Sequence, residues 1–150
     1  MVDLYPAPLE QLLKRAFYEL KQNSAIFDLP KSKFYRPNPE LDTGVSFHSI
    51  HAGNPLGPTA GPHNQMIQNI VLSWLGGSRI IELKTIQILD QLKINRPCID
   101  VPNIGFNIEW SQELKLPQSL IEYVSASMMI DIFKEAISIS LLSPGPISPR

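Results

Sequence analysis

The chain has 150 residues and a mass of 16.8 kDa, and 43% hydrophobic against 18% charged content excludes a wholly disordered chain and suffices for one folded domain. Thirteen Lys and Arg against fourteen Asp and Glu leave a net charge of -1, so no basic excess exists to neutralise a nucleic-acid backbone or an anionic membrane. The single cysteine, Cys98, excludes an intrachain disulfide and a thiolate cluster for zinc or iron–sulfur, and fits the reducing cytoplasm.

Fourteen prolines, about twice average usage, predict short, sharply bounded elements. The amino terminus lacks the positive flank and apolar stretch of a secretory signal, so no export is expected. Leu9, Leu12, Leu13, Ala16, Phe17 and Leu20 recur at helical spacing, with Glu10, Lys14, Arg15 and Lys21 on the other face and Pro8 suited to the first helical position. Residues 23–39, with Pro30, Pro37, Pro39, Phe27, Phe34 and Tyr35, read as an irregular connector pinned by aromatic anchors. Residues 45–52 alternate apolar or small with polar and predict one or two short strands before the Gly53-Asn54-Pro55 turn.

Residues 55–62 suit a short buried strand ending in an open loop. A helix follows, with Asn64 as N-cap, Met66, Ile67, Ile70, Val71 and Trp74 on one face, and Gly76-Gly77 as a left-handed stop. Residues 79–85, rich in branched side chains, predict a second strand, and the order strand, helix, strand predicts a parallel crossover. Residues 86–94 read as a helical turn or loop, 98–101 as a short extended piece, and 103–111 as an ordered loop. Pro117 opens a helix running from about residue 118 to 141, whose Glu122, Asp131, Lys134 and Glu135 oppose insertion across a bilayer. Residues 143–150, with three prolines, predict a mobile tail.

Candidate chemistry is sparse. His48, His51 and His63 match no zinc spacing, so no metal is assigned and solvated loop histidines are preferred. Cys98 is read as a small core residue rather than a nucleophile. Ala60 and Gly61, with Gly57, could let a flat ligand lie against bare backbone, although on spacing alone a tight Pro/Gly turn is favoured. Lys84 ends an apolar strand, where a cation could stabilise negative charge on a ligand; a lysine snorkelling toward Glu82 or Asp90 competes evenly with that reading. Asn107, Glu109, Trp110 and Ser111 suit ligand recognition and equally a self-capping loop, with Trp110 as a packing anchor and no acid or base role for Glu109.

Four strings carry a resemblance: Gly57-Pro-Thr-Ala-Gly-Pro-His-Asn-Gln-Met-Ile-Gln-Asn, Ser73-Trp-Leu-Gly-Gly-Ser-Arg-Ile-Ile-Glu-Leu-Lys-Thr-Ile-Gln-Ile-Leu-Asp, Arg96-Pro-Cys-Ile-Asp, and Gly105-Phe-Asn-Ile-Glu-Trp-Ser-Gln-Glu-Leu. In order and spacing the chain resembles the amino-terminal region of the selenate reductase family of the YgfK type and, more distantly, dihydropyrimidine and dihydroorotate dehydrogenases. The resemblance implies an α/β fold: the first part of a (β/α)8 TIM barrel of the FMN-dependent dihydroorotate dehydrogenase type, with a helical amino-terminal extension. The implied organisation is an extension over residues 1–52, incomplete barrel units over 53–142 and a disordered tail over 143–150. It further implies a flavin-dependent oxidoreductase with FMN against Ala60 and Gly61, Lys84 near the pyrimidine edge of the flavin, Thr85 as an adjoining hydroxyl and Asn107 as a substrate contact.

A complete barrel needs about 250 residues, whereas only two or three strands are expected here, without a phosphate site and with the catalytic acid or base beyond Arg150. A truncated product is one expectation, completed by a partner chain or by the remainder of a longer reductase carrying FAD, NAD and iron–sulfur regions. Two rivals stand beside the flavin enzyme: a non-catalytic remnant or interaction module that docks on another chain, and a lyase using Lys84 as a Schiff base.

Overall fold

The structure is a computed structural model that describes residues 4–86, 88–89, 99–100, 106–107 and 114–142. Helix α1, Leu9–Asn23, turns Leu12 and Ala16 inward. Pro8 precedes the helix as its N-cap, one position earlier than expected, because its backbone is extended while its carbonyl already accepts the Leu12 N–H. Ser24 closes the helix in a left-handed conformation at φ 50°.

The expected irregular connector is instead a hairpin, β1 (Ala25–Ile26) with β2 (Leu29–Pro30), followed by a 3-10 turn at Lys31–Lys33. Phe27 and Asp28 form its two-residue loop at φ 49° and 64°, the pair of left-handed values a tight hairpin demands. Neither residue type advertises that turn. Phe27 is held by burial in the core, and the Asp28 N–H donates to the Glu19 carboxylate at 3.0 Å.

The strands expected within 45–52 form a second antiparallel hairpin, β3 (Val45–Phe47) with β4 (Ile50–Ala52), turned by His48 and Ser49 at φ 46° and 63°. Helix α2, Ile67–Leu75, begins after a 3-10 turn at Pro62–Gln65. It ends as a Schellman motif in which Gly77 N–H donates to Trp74 O at 3.1 Å and Ser78 N–H to Ser73 O at 3.0 Å, with Gly77 at φ 116°. Helix α3, Leu116–Leu142, starts where Pro117 predicts it. Between them, β5 (Ile99–Asp100) pairs antiparallel with β6 (Phe106–Asn107).

The strands expected at 55–62 and 79–85 are a correction: both segments are extended, but neither is a regular strand. They nonetheless run side by side in the same direction. Leu56 O accepts the Ile80 N–H at 3.2 Å, and Pro58 O accepts the Glu82 N–H at 3.5 Å, an advance of two residues on each segment. Pro58 has no N–H to return, so the ladder is one-sided and stops short of a sheet. The course of the parallel crossover through α2 is therefore present without its full hydrogen bonding.

One core joins these pieces. Leu12 and Ala16 of α1, Ile26 and Phe27 of the first hairpin, Ile67, Ile70, Val71 and Leu75 of α2, and Ala126, Met129 and Phe133 of α3 form a single buried cluster. The Phe17 and Phe133 rings meet edge to face at 5.8 Å, binding α1 to α3. None of the described helices is long and apolar enough to cross a membrane. The tail at 143–150 and Cys98 lie outside the described residues.

Candidate functional site

The carboxyl ends of the two extended segments meet, and there the polar groups collect. Ala60 N–H donates to Glu82 Oε2 at 3.1 Å, so a carboxylate two residues before Lys84 clips the end of the first segment to the second. Asn64 strengthens the clip: its Nδ2 donates to Thr59 O at 2.7 Å and to Glu82 O at 3.4 Å. Asn64 thus does not cap α2, correcting the sequence expectation. Its side chain is spent on the loop, and Met66 occupies the N-cap position with no side-chain bond of its own.

The cap comes from another helix. Glu122 of α3, 2% exposed, accepts the Ile67 N–H at 2.8 Å, placing a carboxylate at the positive end of the α2 dipole. Burial pushes its carboxyl above the ordinary range, and the bond from Ile67 offsets part of that rise. Beside it, the Tyr123 hydroxyl donates to Lys84 O at 3.0 Å, and burial pushes that hydroxyl up as well. The carboxyl end of the second extended segment is therefore anchored to α3.

Lys84 itself is 3% exposed, so the side chain lies inside the protein and not in bulk water. Gly61 and Gln65 are buried next to the clipped loop, Ala60 is half-buried, and Thr85 is exposed. Asn64 Oδ1 is a buried acceptor that no donor among the described residues satisfies. Asn107 belongs to β6, opposite Ile99, and its side chain lies outside what is described, as do Glu109, Trp110 and Ser111. His48 and His51 are exposed, and no group of three metal-ligating side chains occurs among the described residues.

Sequence reasoning placed Ala60, Gly61 and Lys84 near two neighbouring segment ends, and the structure brings those ends together. It missed Glu82 as the clip, Asn64 as a loop brace, and Glu122 and Tyr123 as anchors. Of these only Glu82 left a local trace, an acidic residue two positions before a lysine in an apolar run. The other three act across 5 to 55 residues of chain, beyond any spacing rule.

The other end of the crossover is structural. Arg79 donates to Trp74 O at 2.9 Å and Ser78 O at 2.8 Å at the negative end of α2, and lies over the Tyr35 and Trp74 rings at 5.4 and 5.6 Å. Burial lowers its guanidinium from the usual value.

Comparison with known proteins agrees with this architecture. The chain is 48% identical over 121 residues to the "Putative oxidoreductase YgfK" of Escherichia coli strain K12, and equally to that of E. coli O157:H7. That stretch is 81% of this chain but 12% of each relative, so the chain spans a small part of their length. No solved structure matches it. The family model described as "Oxidoreductase YgfK, N-terminal TIM-barrel domain" matches residues 27–143, and the chain belongs to that family.

Proposed function

We propose that the chain supplies the opening units of an FMN-dependent oxidoreductase barrel of the dihydroorotate dehydrogenase type, with Lys84 beside the pyrimidine edge of the flavin. One observation carries the reading: a lysine 3% exposed at the carboxyl end of an extended segment, where barrel enzymes of this kind place their chemistry. The residues fit such a group in three respects. Gly61 offers buried backbone without a side chain, Lys84 offers a cation, and the unsatisfied Asn64 Oδ1 offers an acceptor to a donor on the ring.

Bound FMN would supply hydride or electron transfer to a partner redox centre. The chain's own residues then divide the work. Lys84 would offset negative charge at the flavin edge, held in place through its carbonyl by Tyr123. Ala60 contributes surface and not a donor, because its N–H is taken by Glu82. Thr85 and Asn107 are the adjoining flavin and substrate contacts of this proposal. The substrate class is that of selenate reductases or dihydropyrimidine dehydrogenases, the electrons arrive through FAD, NAD and iron–sulfur regions outside this chain, and the setting is the cytoplasm.

The test is spectroscopic. The chain, expressed with FMN alone and together with the remainder of a relative's barrel, is expected to retain visible flavin bands in at least the joined form. Lys84→Met should lower the flavin midpoint potential, while Lys84→Arg should largely restore it. A well-formed complex that stays colourless, or a potential indifferent to residue 84, overturns the reading.

A second reading, an interaction module that docks on another chain, has its own support. From Leu120 to Met128 the outer face of α3 is apolar, uncharged and exposed.

A further inference from the structure

Glu82 is exposed, yet its backbone and its carboxylate all engage the loop opposite. Its N–H donates to Pro58 O at 3.5 Å, its Oε2 accepts the Ala60 N–H at 3.1 Å, and its carbonyl accepts Asn64 Nδ2 at 3.4 Å. One residue of the second segment thus holds residues 58–64 at three points. Two of the three are backbone contacts that any residue type could make. The third needs an acceptor on a side chain of this length, and a carboxylate makes the stronger bond to a backbone N–H.

Stability does not account for that choice. An Ala60 N–H at the surface would bond to water if Glu82 released it, so the bond adds little to folding. What it fixes is position. Lys84 lies two residues beyond Glu82, about 7 Å along an extended segment. Its carbonyl is tied to α3 by the Tyr123 hydroxyl, and Ala60 is tied to the same segment by Glu82. The bare backbone at Ala60 and Gly61 and the buried Lys84 are thereby registered on one short stretch of chain. A rigid ligand that touches both must meet them at once, and a loop free to drift loses affinity without losing the fold.

We propose that Glu82 is a positioning residue: acting through the Ala60 N–H, its carboxylate sets the Ala60–Gly61 backbone where a flat ligand resting on it also meets Lys84. The inference rests on the flavin reading and adds to it a residue that acts through the loop. The role is geometric, so an uncharged side chain of the same length with an oxygen acceptor should fill it.

Glu82→Ala and Glu82→Gln are compared in the full chain and in its joined form with FMN. In Glu82→Ala the Ala60 amide should exchange roughly 5-fold faster and FMN should bind roughly 10-fold more weakly, read from the visible bands on dilution, because an unheld loop must be ordered when the ligand arrives. The melting temperature should move by no more than about 2 °C. Glu82→Gln should restore most of the amide protection and of the affinity. Glu10→Ala, which removes an exposed acid paired with Lys14 on α1, should change neither. An affinity indifferent to Glu82→Ala, a loss that simply follows the melting temperature, or a glutamine variant no better than the alanine one overturns the proposal. These outcomes require a coloured native complex. If the native joined form is itself colourless, the flavin reading fails and takes this inference with it, whereas a coloured complex indifferent to residue 82 removes the inference alone.

Discussion

At Gly57 a Cβ would lie 1.4 Å from the Ile80 carbonyl oxygen, so any side chain there must push the two extended segments apart. The obstacle is backbone and cannot rotate away. Gly57→Ala is therefore expected to cost about 2 kcal/mol, read from the urea midpoint, and an unchanged midpoint would refute the close approach. Two buried carboxylates make opposing predictions about pH. Burial raises the Glu19 carboxyl, but the Asp28 N–H and the Arg15 side chain, bonded at 3.0 and 2.6 Å, outweigh it and hold it below the ordinary range. Its contribution is full above the ordinary carboxyl range and is lost as pH falls through the depressed value. Glu122 is raised, so its cost appears as pH climbs from the ordinary range through the raised value. Glu19→Gln should therefore be most damaging at neutral pH and nearly silent in acid, whereas Glu122→Gln should gain stability relative to the native chain as pH rises. Melting temperatures taken across the acid range for both variants decide between these slopes.

Among the elements, those written in local pattern were legible and those made by distant partners were not. The apolar spacing of α1, the Pro117 start of α3 and the alternation over 45–52 each declare themselves within a few residues. The first hairpin did not, because Phe27-Asp28 is not a sequence that favours two left-handed residues, and its stability comes from the core and from Glu19 on α1. Of the two segments flanking α2, residues 55–62 were read as a strand from small residues and prolines and 79–85 from branched side chains, yet Pro58 deprives their ladder of a donor, an effect of pairing that composition alone does not disclose. At the candidate site, the sequence divides Lys84 evenly between a cation aimed inward and a lysine snorkelling toward Glu82 or Asp90, so its burial was not legible there, while Glu82 and Asn64 acquire their roles only once the loop folds back. The end of α2 supplies a further test. A Cβ on Gly77 would stand 2.8 Å from Tyr35 Cγ, at φ 116°, so Gly77→Ala should cost at least about 1 kcal/mol and disturb the near-ultraviolet signal of the Tyr35–Arg79–Trp74 stack.

For the whole molecule, the boundary of the family match and the boundary of the core do not coincide. The match begins at residue 27, after α1, yet Leu12 and Ala16 share the cluster of Met129 and Phe133, and the Phe17 ring meets that of Phe133 edge to face. Removing residues 1–24 should uncover that cluster and abolish cooperative unfolding, as followed by calorimetry; a truncated chain that still melts sharply would show α1 to be dispensable. The bond from Ile67 to Glu122 has a consequence for synthesis. Because the acceptor lies 55 residues downstream of the donor, a ribosome must finish the first turns of the last helix before the opening turn of α2 is secured. A nascent chain arrested before that point should remain open to proteases near residue 67, and maturation of the crossover is a late event on the ribosome rather than an early one.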